Sequence, residues 1–217
     1  MDKYNNELIE LAKNIWDYAE IKWKEYKSVE AQKEILKKHG FKINENLANL
    51  PTAFSAEFGK NGGVSIGFLG EFDALSGLSQ VEDLTERVEK VKGECGHGCG
   101  HHLLGTASIG AALKLKDYIE DNNLDAKVVY FGCPAEEGGS GKAFMAKAGC
   151  FDVVDIAITW HPFTGNAIFT GSLQANKQVY VRFKGKGAHA AASPHLGRSA
   201  LDGLELVNIG AVSYTHL

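Results

Sequence analysis

Ten residues, Gly93-Glu94-Cys95-Gly96-His97-Gly98-Cys99-Gly100-His101-His102, constrain this chain more than any other stretch. Two cysteines, three histidines and four glycines fall in one short loop. Directly after it, Leu103, Leu104, Ala107, Ala111, Leu115 and Tyr118 recur at helical spacing, so His101 to Tyr118 reads as a helix. Further along, Cys133-Pro134-Ala135-Glu136-Glu137-Gly138-Gly139 places a carboxylate pair at the end of an apolar run. Thiolate and imidazole suit zinc and its neighbours, while carboxylates extend the range to manganese and can supply a base. A Cys/His cluster followed by paired glutamates is the raw material of a hydrolytic metal centre.

The flanking pattern predicts an α/β fold. Glu7 to Ala19 reads as an amphipathic helix, and Ser28 as the N-cap of a second that Gly40 closes. Thr52 to Phe58 and Val64 to Leu69 read as strands, joined as a hairpin by Gly59-Lys60-Asn61-Gly62-Gly63. Gln80 to Lys92 is charged and weakly periodic, a surface excursion. Val128 to Phe131 and Ile156 to Trp160 are expected as buried strands flanking a helix near Lys142 to Ala148. This alternation predicts a mostly parallel mixed sheet covered by helices on both faces. Ligands in such sheets gather beyond the carboxyl ends of strands. That is where Asp73, Cys99, His101, Glu136, Glu137 and His161 are expected.

Other classes are disfavoured. A net charge of −4 with dispersed Lys and Arg leaves no footprint for nucleic acid. No apolar stretch reaches the length of a membrane span, and the N-terminus lacks the apolar core of a signal peptide. Four irregularly spaced cysteines do not make a disulfide framework, so a reducing, cytoplasmic setting is expected. Cys133 and Cys150 read as small core hydrophobes. His97 reads either as a ligand or as a group that orients the loop.

Taken together, Gly70-Glu71-Phe72-Asp73-Ala74-Leu75, Gly96-His97-Gly98-Cys99-Gly100-His101 and Pro134-Ala135-Glu136-Glu137-Gly138-Gly139 resemble the M20 metallopeptidases, in their amidohydrolase branch. The resemblance covers nearly the whole chain up to about Ile209. It implies a zinc-peptidase-like catalytic domain and a centre of two divalent ions, manganese or zinc. Cys99, His101, Glu137 and His161 are the implied metal ligands, Glu136 the general base, and Asp73 the residue that orients a ligand. Ser76 stands where the family usually carries proline, and His102 where aspartate or asparagine is common.

The segment after Pro162 changes character. Gly171 to Lys184 alternates loosely as strands, followed by Gly185-Lys186-Gly187-Ala188-His189-Ala190-Ala191 and a helix carrying Leu201, Leu204, Leu206 and Val207. It resembles the start of that family's α+β lid, or dimerisation, domain. The expected division is 1–165 for the N-terminal part of the catalytic domain and 166–217 for an incomplete lid. His189 matches the histidine thought to polarise the substrate carbonyl. A C-terminally truncated chain is expected, with residues 212–217 departing from the helical pattern and His216 no ligand.

The resemblance implies hydrolysis of an amide bond in N-acyl amino acids or small dipeptide-like substrates, p-aminobenzoyl-glutamate among them. It also implies a homodimer formed through the lid, or pairing with a related second subunit. The alternative is a non-catalytic protein, or an inactive remnant, whose Cys/His run holds a closed structural metal site. The adjacent glutamates favour the hydrolase. A redox role for Cys95 and Cys99 is weaker, because their spacing is CxxxC.

Overall fold

The computed structural model describes residues 3–172, 175 and 179–215. The chain divides into two compact units, Met1–Ile168 and Phe169–Leu217.

The first unit opens with two helices, α1 (Asn5–Tyr18) and α2 (Tyr26–Lys38). Strands β1 (Lys42–Glu45), β2 (Phe54–Gly59) and β3 (Val64–Gly70) follow, then the long helix α3 (His101–Asp121) and β4 (Ala126–Gly132). A distorted single turn α4 (Glu136–Gly139), helix α5 (Gly141–Lys147) and strand β5 (Ile156–Ile158) complete it. The sheet order is β1-β2-β4-β3-β5. β2 is antiparallel to β1 and to β4, whereas β3 is parallel to β4 and to β5, so only β2 runs against the other four strands.

Alternation along β4 shows how the sheet is covered. Val128 and Tyr130 face a core built with Leu11 and Ile15 of α1, Val29 and Leu36 of α2, and Ile109 and Leu113 of α3. Val129 and Phe131 face the opposite core with Ala53, Cys133 and Met145 of α5, against which Cys150, Phe151 and Val154 pack. A strand buried on both faces reads as one continuous apolar run, as Val128 to Phe131 does.

Four local expectations are corrected. The Gly59–Gly63 segment does not close a hairpin, because β4 inserts between β2 and β3. Its glycines instead let the chain pass against the start of β4: a Cβ on Gly63 would lie 1.5 Å from the carbonyl oxygen of Asp125. Ser28 is not an N-cap but lies inside α2. Glu20 does the capping from outside, one carboxylate oxygen accepting from the Lys27 N–H at 3.0 Å and the other from the Ser28 N–H at 2.9 Å. β5 is not buried, since Ile156 and Ile158 are 50% and 45% exposed on a strand paired only with β3 among the described residues. Finally, the tail does not leave the helical pattern: α6 (Ala200–Thr215) includes Val212 to Thr215, while His216 and Leu217 lie outside the described residues.

In the second unit, Lys186 and Arg198 form an antiparallel bridge with two 2.9 Å backbone hydrogen bonds, and a 3-10 turn over Pro194–Leu196 precedes α6. The strands expected over 171–184 do not form in residues 171, 172, 175 and 179–184, and the rest of that segment lies outside the described residues.

Candidate metal centre

Register builds the site. Gly70 and Gly132, the last residues of β3 and β4, are paired, so the segments after them emerge side by side. The Cys133 N–H donates to the Gly70 carbonyl at 2.8 Å and carries the alignment one residue further. Glu71 to Asp73 and Ala135 to Glu137 are therefore neighbours. α3 begins between them at His101, and Gly105 on its first turns packs so close that a Cβ there would lie 2.5 Å from the Glu71 carbonyl oxygen. Gly100 takes φ +79° at the helix entry, with Pro162 packed where a side chain would stand.

His101 is fully buried. Its Nδ1 lies 3.0 Å from Asp73 Oδ1 and 3.1 Å from the Asp73 carbonyl oxygen. Both partners are acceptors, so Nδ1 carries a proton. The other carboxylate oxygen of Asp73 accepts the Glu137 N–H at 2.8 Å, so one aspartate ties the helix start to the glutamate turn. Burial works to raise the Asp73 carboxyl, but the hydrogen bonds from His101 and the Glu137 amide hold it below its usual range.

His101 Nε2 faces the other way. It lies 3.1 Å from Glu71 Oε2 and 3.8 Å from Glu136 Oε2. Both Nε2 and Glu71 Oε2 are buried without a hydrogen-bond partner. Glu71 Oε1 is paired with Lys142. On the other side of His101, Cys99 Sγ lies 3.3 Å from His161 Nε2. His161 Nδ1 donates to the Pro162 carbonyl at 2.9 Å, which leaves Nε2 as a lone pair. The Trp160 indole donates to the Leu104 carbonyl at 3.2 Å and anchors this segment on α3.

Among the described residues two groups could thus hold a cation: Cys99, His101 and His161, and Glu71, His101 and Glu136, the ligand atoms in each lying within 4.8 Å of one another. The Glu137 carboxylate falls outside both groups. Burial pushes the Cys99 thiol up to about 11, with Glu137 and Glu136 adding to the effect. Burial, then the charge of Glu71, raises the Glu136 carboxyl. Around His101 the carboxylates of Glu71 and Glu136, the Cys99 thiol and the His161 imidazole thus come together, and the Lys142 ammonium pairs with Glu71. Such a donor set fits divalent cations, which would neutralise the carboxylates and give His101 Nε2 a partner.

Of the predicted residues, Asp73, Cys99, His101, Glu136, Glu137 and His161 come together here. His189 belongs to the second unit, where its Nδ1 accepts the N–H groups of Ala191 and Ala192 at 3.3 and 3.1 Å. His97 is the loop-orienting group: its Nε2 donates to the Ile15 carbonyl at 3.0 Å, its ring stacks on Trp16, and burial lowers it to about 4. Sequence reasoning passed over Glu71, although it sits two residues before Asp73 at a strand end and so shares that residue's side.

Comparison with known proteins finds relatives both in sequence and in structure. The chain is 47% identical over 201 residues to a p-aminobenzoyl-glutamate hydrolase subunit of Escherichia coli K12, an alignment spanning 93% of this chain and 42% of that protein. A dinuclear metal binding peptidase of the M20 family from Bacillus subtilis superposes with a TM-score of 0.57 at 24% identity, covering 70% of this chain and 42% of that one. The chain belongs to the M20 metallopeptidase family. A solved Staphylococcus aureus structure shares the fold over 99% of this chain and 58% of its own, with a TM-score of 0.62 at 22% identity. No family model matches the chain. The chain spans less than half the length of its Escherichia coli M20 relative. No helix among the described residues is long and apolar enough to cross a membrane.

Proposed function

We propose that this M20 chain serves the metal-dependent hydrolysis of an amide bond in N-acyl amino acids or small dipeptide-like substrates. One observation carries the reading: the Cys99 thiol and ring nitrogens of His101 and His161 lie within 4.8 Å of one another, and the carboxylates of Glu71 and Glu136 meet the same His101. Cys99, His101, Glu137 and His161 would hold two divalent ions, manganese or zinc, and Glu71 stands within the same cluster. When bound, such ions polarise a scissile carbonyl and acidify water. Asp73 keeps His101 in the tautomer that presents Nε2. Glu136, half-exposed at the mouth of the cluster and raised by burial, takes the proton of the attacking water and delivers it to the leaving nitrogen. His189 supplies an imidazole donor to the developing oxyanion.

Likeness to the Escherichia coli relative makes p-aminobenzoyl-glutamate the first substrate to test. That relative is named a subunit, which supports assembly as a homodimer or with a related subunit; residues 1–165 are read as the N-terminal part of the catalytic domain and 166–217 as the start of the lid through which it would form. Four free cysteines fit a cytoplasmic setting. The test is to load the purified chain with Mn²⁺ or Zn²⁺, count bound metal and follow hydrolysis of p-aminobenzoyl-glutamate and N-acetyl amino acids. Two exchangeable ions with turnover support the reading. A single chelation-resistant zinc without turnover means a structural metal site instead.

A further inference from the structure

The chain between α1 and α2 lies outside every motif of the metal centre, yet residues along it touch the segments that carry it. The Glu20 carbonyl accepts the Ala74 N–H at 2.8 Å, next to Asp73, and Ile21 bridges Ala74 in parallel. Trp23 packs where a Cβ on Gly139 would stand and meets Phe144 edge-on. Glu25 is fully buried, and its Oε1 accepts the Ala135 N–H at 2.8 Å and the Trp23 N–H at 3.0 Å.

Ala135 needs that bond. It is fully buried and sits at φ 56°, ψ 43°, a left-handed conformation that costs a non-glycine residue about 1–2 kcal/mol. This turn bends the chain after β4 so that Glu136 approaches His101 and the Glu137 N–H reaches Asp73. Without an acceptor, the Ala135 N–H would be a buried orphan in an already strained turn. Its acceptor comes from a residue 110 positions earlier.

We propose that Glu25 is a positioning residue of the metal centre: by accepting the Ala135 N–H it holds the turn that aims Glu136 and Glu137. The proposal rests on the reading of those glutamates as general base and ligand. What the turn uses is an acceptor at the reach of a glutamate, not a negative charge. Burial pushes the Glu25 carboxyl up against the N–H donors of Ala135 and Trp23, and both of those bonds end on Oε1, an atom that an amide oxygen can replace as acceptor. Glutamine would keep Oε1 in place, whereas aspartate would keep the charge and lose the reach.

The experiment compares wild type with Glu25→Gln, Glu25→Asp and Glu25→Ala. Titration with Mn²⁺ and Zn²⁺ alone is combined with residue-resolved amide exchange at Ala135 and Glu137 in the metal-free chain. Thermal unfolding selects the variants that fold, and Glu25→Asp carries the test if Glu25→Ala does not fold. Glu25→Gln is expected to bind metal within about twofold of wild type. Glu25→Asp and Glu25→Ala are expected to lose about 10–100-fold in affinity, as when the partner that orients a metal ligand is removed. The same two variants should expose the Ala135 and Glu137 amides to exchange, with Glu25→Gln protected. Equal affinity and protection in Glu25→Asp and wild type would overturn the positioning role, as would Glu25→Gln failing like Glu25→Asp. If wild type binds no metal, the proposed function fails, and the positioning role is then decided by amide protection alone.

Discussion

The two sides of the metal centre are built differently. On the inner side, His101 and Asp73 are buried, and Asp73 is bonded at both carboxylate oxygens to partners on α3 and on the turn after β4. On the outer side, Cys99 is half-buried and His161 is exposed; each finds the other at 3.3 Å. The inner side is organised by the protein's own hydrogen bonds. The outer side brings donors together whose remaining valence asks for a cation. A site divided this way needs only small adjustments at its rim when metal enters.

The largest effect expected is on chemistry at the mouth. Glu136→Ala should lower kcat by about 10²–10⁴-fold while bound metal stays unchanged. Full activity in that variant would remove Glu136 as the base. Next comes the inner side. Asp73→Ala should destabilise the metal-free chain by about 3 kcal/mol in urea unfolding, because it leaves a buried imidazole and the Glu137 amide unpaired. A loss no larger than that of a surface substitution would erase the distinction between the two sides.

Metal removal gives the third. At a free metal concentration about 100 times Kd, the loaded protein should be about 2.7 kcal/mol more stable than after chelation. That gain should vanish in Cys99→Ser if the thiolate is a ligand. The smallest effect closes the comparison: in the metal-free chain, Cys99→Ser itself should change stability by no more than about 0.5 kcal/mol, because that thiol is partly exposed. A larger loss would mean that the outer side, too, is part of the folded framework.

Several of these features were legible in the residue order. The helix starting at His101, the continuous apolar run of β4 and the surface course of Gln80 to Lys92 all follow from periodicity, which is a local property. The expectation that Cys99, His101 and Glu136 lie near one another was legible too, because a mostly parallel sheet brings strand-end loops to one edge. Other features were hidden. The glycines of Gly59 to Gly63 look the same whether they turn a hairpin or let the chain pass beneath β4. Ser28 has the chemistry of a cap, but Glu20 reaches that helix end first. β5 carries the composition of a buried strand at an exposed edge, since composition does not say which strand has a neighbour.

The amino-acid sequence alone determined the donor types, the spacing that sets Cys99 and His101 at a helix entry, and the apolar faces that cover the sheet. These depend on side-chain chemistry and on the short-range geometry of helix and strand. The tertiary structure alone decided that β4 separates β2 from β3, that Asp73 bonds both His101 and Glu137, and that Glu25 meets Ala135. Those contacts are made largely through backbone amides and carbonyls, which every residue carries alike. Only the folded chain selects which of them meet.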